Sequence, residues 1–428
     1  MVQKKAVRVA LSAAFVMGST LGLIAGPVQF ASAAPAPSVH LTYWTYYSPA
    51  QLAVTQFEKL HPNIHITVQV FPGNSYETKL QAALASGIDV PSMFDLDMGY
   101  IGKFINTPYV TNLSKMGANQ LVKNMVPYVA AGGEMRNGNV GAITDTSSPG
   151  GFWYNRKAAK KWLGTENPNQ VSSMIDTWQK IYTLGKKIDQ KSHGTVHLLD
   201  APGSVMAVEE YHTRNFVQNG KLFIGPAWQT ILNEMRRLAQ PGITANLPAM
   251  SASWGTSLNN HSPNPDAILY AIPSWAGFMI NSKTANGQFG VAEAPAGYYE
   301  GGRYGAIYSH DTAVQKKAAY QFLQFLASPR WQNWNLYHTA NMPSLISVYK
   351  QHLSTYKYPW FGGQDVLKMY YKISMDIPAQ KQDQYEQDLV SDMGSVAATM
   401  IAEKKSNAWA IQKFKAEVQS TYPNVKIQ

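Results

Sequence analysis

The chain has 428 residues, of which 45% are hydrophobic and 14% are charged, and its formal net charge is +10. This length and apolar content are sufficient for a large buried core, which excludes an intrinsically disordered protein. The sequence has no cysteine, which excludes disulfides, thiol catalysis and a lipid anchor on a cysteine. Its basic residues are scattered, without a run of five like charges, so no nucleic-acid partner is predicted.

Residues 1–33 have the pattern of a secretory signal peptide. Three basic residues precede an apolar stretch from Val9 to about Ala25, and the small residues Ala31-Ser32-Ala33 follow. We predict cleavage near Ala33, which leaves a net charge of +7 because the leader contributes three basic residues and no acid. The predicted location is therefore extracytoplasmic: secreted, associated with the cell surface, or periplasmic.

The segment after the leader alternates between strand and helix patterns. Residues 39–47 predict a strand that ends in aromatic side chains, and Ser48-Pro49 predicts the cap and first position of a helix. Alternating apolar and polar residues predict a strand over 64–70, after which a helix over 76–86 and a strand over 92–97 follow. This order is typical of a parallel sheet with crossover helices, so the predicted fold class is α/β.

The rest of the chain is mostly helical, with one exception. Helical spacing predicts helices over 155–163, 174–188, 205–219 and 229–238. Residues 241–312 are instead rich in Pro, Gly, Ser, Asn and Trp, and helical patterns return in the C-terminal tail. We find no internal repeat and no linker long enough to separate independent modules.

Short sequence blocks are spread in a fixed order over nearly the whole mature chain. They lie at 57–64, 76–82, 94–100, 152–157, 220–223, 253–255, 301–307, 317–328, 341–344 and 361–364. Together they resemble the carbohydrate-type extracellular solute-binding proteins of ABC importers, the group that includes maltose-binding protein. The resemblance implies a two-lobe periplasmic-binding-protein-like fold, in which each lobe is a sheet flanked by helices and a multi-segment hinge joins the lobes.

The resemblance also implies a division of the chain and a set of partners. After the signal peptide at 1–33, we expect an N-terminal lobe at 34–147 plus 303–342 and a C-terminal lobe at 148–302 plus 343–428. The expected partners are a sugar ligand in the cleft between the lobes and the permease subunits of an ABC transporter in the membrane. A monomer without cofactor or metal is expected.

A sugar has apolar C–H faces and a rim of hydroxyls, so its receptor needs aromatic side chains and hydrogen-bonding groups. Residues near strand ends and at the expected crossings supply the candidates Trp44, Tyr46, Asp97, Tyr100, Asp145, Trp275, Tyr299 and Arg303. The resemblance adds Trp254, Trp360 and Phe361, at positions where the family commonly has aromatic ligand contacts. Structural roles remain as alternatives: core packing or gap filling for the aromatic residues, and helix capping or pairing with Lys103 for Asp97.

Trp254 is the leading candidate, because it lies in a Ser/Gly stretch without a periodic pattern. A loop is therefore predicted around it, with the indole free to stack on a ligand. Replacing Trp254 with alanine is expected to weaken binding by about 1–3 kcal/mol and to change the unliganded stability little.

Two other functions use similar side chains. A secreted glycoside hydrolase needs two carboxylates about 5–10 Å apart, and Asp95, Asp97, Asp145 and Glu293 are available for such a pair. However, carboxylates are scarce in the loops that are rich in aromatic residues, and the sequence has no Gly-x-Ser-x-Gly, phosphate-binding loop or His-Glu-x-x-His motif. A carbohydrate-binding surface protein would have a flat site and no hinge. We therefore predict a binding protein and not an enzyme.

Overall fold

A computed structural model describes residues 37–213 and 215–427, so the predicted signal peptide lies outside the described residues. Within this part, the strands are β1 (Val39–Thr45), β2 (Ile64–Val70), β3 (Met93–Asp97), β4 (Ala142–Ile143), β5 (Pro149–Asn155), β6 (His197–Leu199), β7 (Val217–Gln218), β8 (Lys221–Leu222), β9 (Ala267–Pro273), β10 (Phe289–Ala292), β11 (Tyr298–Tyr299) and β12 (Arg303–Ile307).

The α-helices of the first half are α1 (Ala50–Glu58), α2 (Gly73–Ser86), α3 (Ile101–Phe104), α4 (Ala118–Val122), α5 (Pro127–Gly132), α6 (Arg156–Trp162), α7 (Pro168–Met174), α8 (Trp178–Ser192) and α9 (Ser204–Glu209). Those of the second half are α10 (Pro226–Leu238), α11 (Ala252–Leu258), α12 (Ala313–Leu326), α13 (Pro329–Thr339), α14 (Ile346–His352), α15 (Val366–Asp376), α16 (Glu386–Ala402) and α17 (Asn407–Thr421). None of the helices in the described part has both the length and the apolarity needed to cross a bilayer.

The first sheet has the strand order β2-β1-β3-β12-β4. Strand β1 pairs in parallel with both β2 and β3, which confirms the parallel arrangement predicted from the alternating strands and helices. In β2, Ile64 and Ile66 are buried while His65 and Thr67 are exposed, because successive side chains of a strand point to opposite faces. Strand β12 returns from the distant sequence and inserts antiparallel beside β3.

The second sheet has the strand order β10-β5-β9-β6, and β11 also pairs with β5. All seven residues of its central strand β5 are buried. Helix α15 packs against this strand, and the indole Nε1 of Trp153 donates to the hydroxyl of Tyr370 at 2.8 Å. Helix α12, in contrast, packs against β1 and β12 of the first sheet. Each sheet therefore has its own helical cover, as the two-lobe α/β fold requires.

The chain crosses between the two sheets at residues 144–148, which join β4 to β5, and at residues 300–302, which join β11 to β12. A third crossing follows α13, where residues 342–344 run antiparallel to the first crossing. There Ser147 N donates to the carbonyl oxygen of Met342 at 2.8 Å, and Thr146 pairs with Pro343. The crossings are thus joined to each other as well as to the sheets. The exact lobe boundaries given above remain a prediction.

The predicted cap of α1 and the predicted extent of one helix are wrong. Helix α1 begins at Ala50 with Pro49 as its cap residue and no side-chain cap, so Ser48 does not cap it. The predicted helix over 205–219 ends at Glu209 instead. Beyond it, Asn219 and Gly220 have φ values of +50° and +73° and form the turn between β7 and β8. Such a turn favours Asn-Gly and stops a helix.

Candidate ligand-binding cleft

A cleft of about 830 Å³ lies between the two sheets, at the crossings. This volume is within the range of roughly 300–1,000 Å³ that is usual for small-molecule sites. Residues from both halves of the fold line it: Tyr46, Tyr47, Ser48, Pro49, Leu52, Asp97, Thr146, Ser148, Trp153, Ser274, Trp275, Gly277, Phe278, Gly301, Gly302, Arg303, His338, Thr339, Ala340, Asn341, Met342, Tyr356, Tyr358, Trp360, Phe361, Val366 and Tyr370.

Six of the residues predicted from the sequence line this cleft: Tyr46, Asp97, Trp275, Arg303, Trp360 and Phe361. They come from strand ends, from a crossing and from loops that are distant in the sequence. Side chains that are distant in the sequence therefore meet at one cleft between the two sheets. Their individual roles toward a ligand remain predictions.

Gly301 brings Asp97 and Trp275 together. Its backbone has φ of +63°, a conformation that suits glycine. A Cβ placed on Gly301 would lie 3.6 Å from Oδ2 of Asp97 and 3.6 Å from Nε1 of Trp275. The glycine therefore lies beside a carboxylate at the end of β3 and an indole that follows β9 in the other sheet. A hydroxyl-bearing ring needs this combination of an acceptor and an aromatic surface.

Asp97 is held in place by hydrogen bonds at both carboxylate oxygens. Oδ1 accepts from the backbone N–H of Gly99 at 2.8 Å, and Oδ2 accepts from the hydroxyl of Tyr46 at 2.8 Å. Burial raises the pKa of Asp97 above its usual range, and the bonds from Gly99 and Tyr46 act against this rise. A carboxylate has about four acceptor positions, so Asp97 keeps acceptor capacity for a ligand beyond its bonds to Gly99, Tyr46 and the backbone of Gly302.

Arg303 lines the cleft, and its side chain is held in place by hydrogen bonds to buried residues. Its side chain is almost buried, and Nη2 donates to Oδ1 of Asp145 at 2.8 Å while Nη1 donates to the hydroxyl of Tyr43 at 2.9 Å. The guanidinium also lies over the ring of Tyr47, 4.7 Å from its centroid. Because the Asp145 carboxylate pairs with the guanidinium and two of its N–H donors are already engaged, Arg303 is not a free cation for an anionic ligand.

Aromatic rings form the wall on the side of the second sheet. Trp360 lies against the backbone of Gly277, where a Cβ would be only 2.9 Å from the indole. The rings of Tyr358 and Trp360 meet edge to face at 4.9 Å, and Phe361 meets Trp153 in the same way at 4.9 Å. Each ring is fixed by its neighbours, so the wall is preorganised for stacking.

Tyr356 adds an unusual polar group to this wall. Its side chain is buried, and its hydroxyl has no hydrogen-bond partner among the residues that the structure describes. Burial raises the pKa of this hydroxyl above its ordinary value, with smaller contributions from Tyr358 and Tyr337. A buried hydroxyl without a partner is costly, so a water or a ligand hydroxyl would stabilise it.

Trp254 lies elsewhere. The prediction of a loop around it is wrong, because it belongs to helix α11, where the Ser251 hydroxyl caps the helix by accepting from the Trp254 N–H. Its side chain is 0% exposed, its Nε1 donates to Oδ2 of Asp200 at 2.9 Å, and its ring meets Tyr270 edge to face. Trp254 does not line the cleft, and these contacts are those of a core residue.

Four further candidates lie outside the lining. Trp44 is buried and packs against Phe71, and Tyr100 meets Phe104 edge to face. Asp145 is fully buried and positions Arg303. Tyr299 is buried in a stack between two other tyrosines. Trp44, Asp145 and Tyr299 are therefore buried in the protein, and Tyr100 is half-buried outside the cleft lining.

Sequence reasoning missed several lining residues. Asn341 Nδ2 donates to the hydroxyl of Tyr47 at 2.7 Å. The sequence contains a signal for both residues, since Tyr47 is an aromatic residue at the end of the predicted strand and Asn341 belongs to the block at 341–344. Tyr358 and Phe278 carried no distinctive pattern. They reach the cleft through short 3₁₀ segments at 276–279 and 359–361 or directly beside them, which no periodicity reveals.

The comparisons with known proteins agree with this architecture. A family model described as bacterial extracellular solute-binding protein matches residues 42–333. A search of curated protein sequences gave no match.

Solved structures with the same fold include several sugar-binding proteins. The sugar-binding protein MalE from Xanthomonas citri has a TM-score of 0.74 at 16% identity, over 89% of this chain and 97% of that chain. The GacH receptor of Streptomyces glaucescens, solved unliganded and with acarbose, has a TM-score of 0.70 at 17% identity, over 91% and 100%. The galacto-N-biose/lacto-N-biose I-binding protein of a Bifidobacterium longum ABC transporter, in complex with lacto-N-biose, has a TM-score of 0.70 at 14% identity, over 92% and 100%.

Proposed function

Because the chain belongs to the bacterial extracellular solute-binding protein family, we propose that it is the substrate-binding component of an ABC sugar importer. The family places it outside the cytoplasm, and the pattern of residues 1–33 supports export by a cleaved signal peptide near Ala33. It captures a mono- or oligosaccharide in the cleft and delivers it to permease subunits in the membrane. It works as a monomer and without a cofactor.

The observation that carries this proposal is the composition of the cleft. Asp97 and Trp275 flank the same glycine, and further aromatic rings continue the wall. An aromatic surface beside a hydrogen-bonded carboxylate matches the apolar faces and hydroxyl rim of a sugar. Proteins of the same fold that bind acarbose and lacto-N-biose support the same ligand class.

The cleft does not favour the glycoside hydrolase alternative. Among the described lining residues, Asp97 is the only one with a carboxylate. Asp95 and Asp145, the neighbours considered above, are fully buried and paired with Tyr43 and Arg303. Glycoside hydrolysis needs a second carboxylate on the other side of the scissile bond, so the arrangement supports binding without turnover.

The position of the cleft at the chain crossings supports a closing motion. Rotation of the two lobes about the crossings would narrow the cleft around a sugar, and a sugar that contacts both walls stabilises the closed state. Tyr46 and Asp97 on one side and Trp275 and Trp360 on the other provide such contacts.

A thermal-shift screen with mono- and oligosaccharides tests the proposal, followed by calorimetry on each hit. We expect at least one neutral sugar to raise the melting temperature and to bind with a dissociation constant in the micromolar range, about 8 kcal/mol. Chromatography of the sugar after prolonged incubation is expected to show the starting material alone. Shortened products would favour the hydrolase, and the absence of any sugar ligand would overturn the proposal.

A further inference from the structure

We propose that the ligand is an uncharged oligosaccharide of at least two sugar units, and that its outer unit stacks on Phe278 at the opening of the cleft. This inference rests on the proposed function and specifies its substrate class. Three features of the described residues carry it: an aromatic surface that continues to the exposed Phe278, the size of the cleft, and the lack of an unpaired lysine or arginine in the lining.

Phe278 extends the aromatic wall beyond Trp275. Their ring centroids are 5.9 Å apart and their planes differ by only 7°, so the two rings are nearly parallel. Trp275 is held by a 2.7 Å hydrogen bond from its Nε1 to the carbonyl oxygen of Glu300. The inner ring is therefore fixed, and it fixes the orientation of the outer ring.

Phe278 is also exposed in a way that core packing does not explain. Its side chain is 73% exposed, the highest value among the exposed large apolar side chains of the described residues. An isolated exposed apolar residue is common on protein surfaces, but this one lines the cleft and stacks on a ring of the cleft wall. The apolar face of a sugar ring would cover it.

The exposed ring of Phe278 and the size of the cleft favour more than one sugar unit. Asp97 and Trp275 lie on either side of Gly301, where one unit would receive a hydrogen bond acceptor and a stacking surface. The ring of Phe278, whose centroid is 5.9 Å from that of Trp275, stays 73% exposed beside this position, and a second sugar unit would cover it. The cleft volume of about 830 Å³ is toward the upper end of the roughly 300–1,000 Å³ usual for ligand pockets.

The charges of the lining favour a neutral ligand. Arg303 is the only lysine or arginine among the described lining residues, and Asp145 pairs with it at 2.8 Å. Asp97 adds a carboxylate that would repel a phosphate or a uronate. A sugar with an anionic group would lose its hydration without gaining a free cation, whereas hydroxyls can be satisfied by the lining.

Calorimetry with sugars of increasing length tests the proposal. The probes are glucose, maltose and maltotriose, then cellobiose, cellotriose and β-1,6-galactobiose, with glucose 6-phosphate and glucuronic acid as anionic probes. We expect a disaccharide or trisaccharide to bind at least about tenfold more tightly than its own monosaccharide, since each stacked ring adds contact area. The anionic sugars are expected to bind more weakly than their neutral counterparts.

The variant Phe278→Ala identifies the outer position. It is expected to weaken the best oligosaccharide by about 2- to 10-fold and its monosaccharide by less than about twofold, because stacking is worth about 0.5–1.5 kcal/mol. Ile88→Ala is the matched control, since Ile88 is also highly exposed but does not line the cleft. Its affinities should be unchanged.

The outcomes separate this inference from the proposed function. Tight binding of a monosaccharide, with no gain from length, would overturn the inference and leave the proposed function in place. Equal losses on both ligands for Phe278→Ala, no loss on either, or tighter binding of an anionic sugar would also overturn it. If no sugar of any length binds, the proposed function and the inference both fail.

Discussion

Replacing Trp254 with alanine is expected to destabilise the protein instead of weakening ligand binding, the reverse of the effect expected from the sequence. The side chain is 0% exposed and packs edge to face on Tyr270, with ring centroids 5.7 Å apart. Truncation of a buried tryptophan leaves a cavity and lowers the free energy of unfolding by about 3–5 kcal/mol. The affinity of the folded protein for its sugar should remain within a factor of about two.

The loss of stability in Trp254→Ala combines the loss of the packed ring with the loss of its hydrogen bond to Asp200. A second variant separates these two contributions. Trp254→Phe keeps most of the ring but removes the Nε1 donor to Asp200. Asp200 would retain the Ser204 hydroxyl at 2.7 Å and the N–H of Ala201 at 2.8 Å. Burial raises the pKa of Asp200 to about 6 against the effect of these bonds, and loss of one donor raises it further. We expect a cost of about 1–3 kcal/mol for the lost bond, less than for alanine.

Urea unfolding followed by circular dichroism, together with calorimetric titration, provides the assay. Trp275→Ala serves as the matched comparison, because Trp275 is a partly exposed tryptophan in the cleft wall. It should weaken sugar binding by about 1–3 kcal/mol with a smaller loss of stability. Normal stability with lost affinity for Trp254→Ala would refute the reasoning and restore Trp254 to the ligand site.

Three other predictions follow from buried groups. Asp145→Ala removes the close partner of the buried Arg303 and should lower the free energy of unfolding by about 3–5 kcal/mol; unchanged urea stability would show that the pair is not needed. Burial and then the Asp383 carboxylate raise the pKa of Glu386 from 4.5 to about 8. The folded state therefore binds a proton more tightly than the unfolded state, so stability should fall as the pH rises through this interval. Glu386→Gln should flatten that slope in pH-dependent urea unfolding, and an unaltered slope would rule out this carboxyl as its source. Tyr356→Phe removes a buried hydroxyl that has no partner within the described part of the chain and should raise unliganded stability by about 1 kcal/mol; a loss of stability would show that the hydroxyl has a partner.

The sequence predicts the first sheet well because its strands have strong local signals. The alternation in residues 64–70 and the stop of α2 at Gly87, with φ of +70°, depend on neighbouring residues alone. The turn at Asn219-Gly220 had the same kind of signal. The apolar spacing over 205–219 also fits a helix, and this competing pattern hides the turn signal of Asn219-Gly220.

The candidate site was predictable where aromatic residues follow strands or lie in loops, as for Tyr46, Trp275 and Trp360. The burial of Asp145 is not predictable from local sequence, because its contact with Arg303 joins residues that are 158 positions apart. Trp254 was misplaced because α11 has only seven residues, too few for a helical period to stand out from a Ser/Gly stretch.

A crystal structure with the sugar that the thermal-shift screen identifies tests the central claim most directly. The account predicts an intact sugar in the cleft, with one ring against Trp275, a hydroxyl donating to Asp97, and contacts to both walls. Density for the sugar at another surface, or for cleaved products in the cleft, would contradict it.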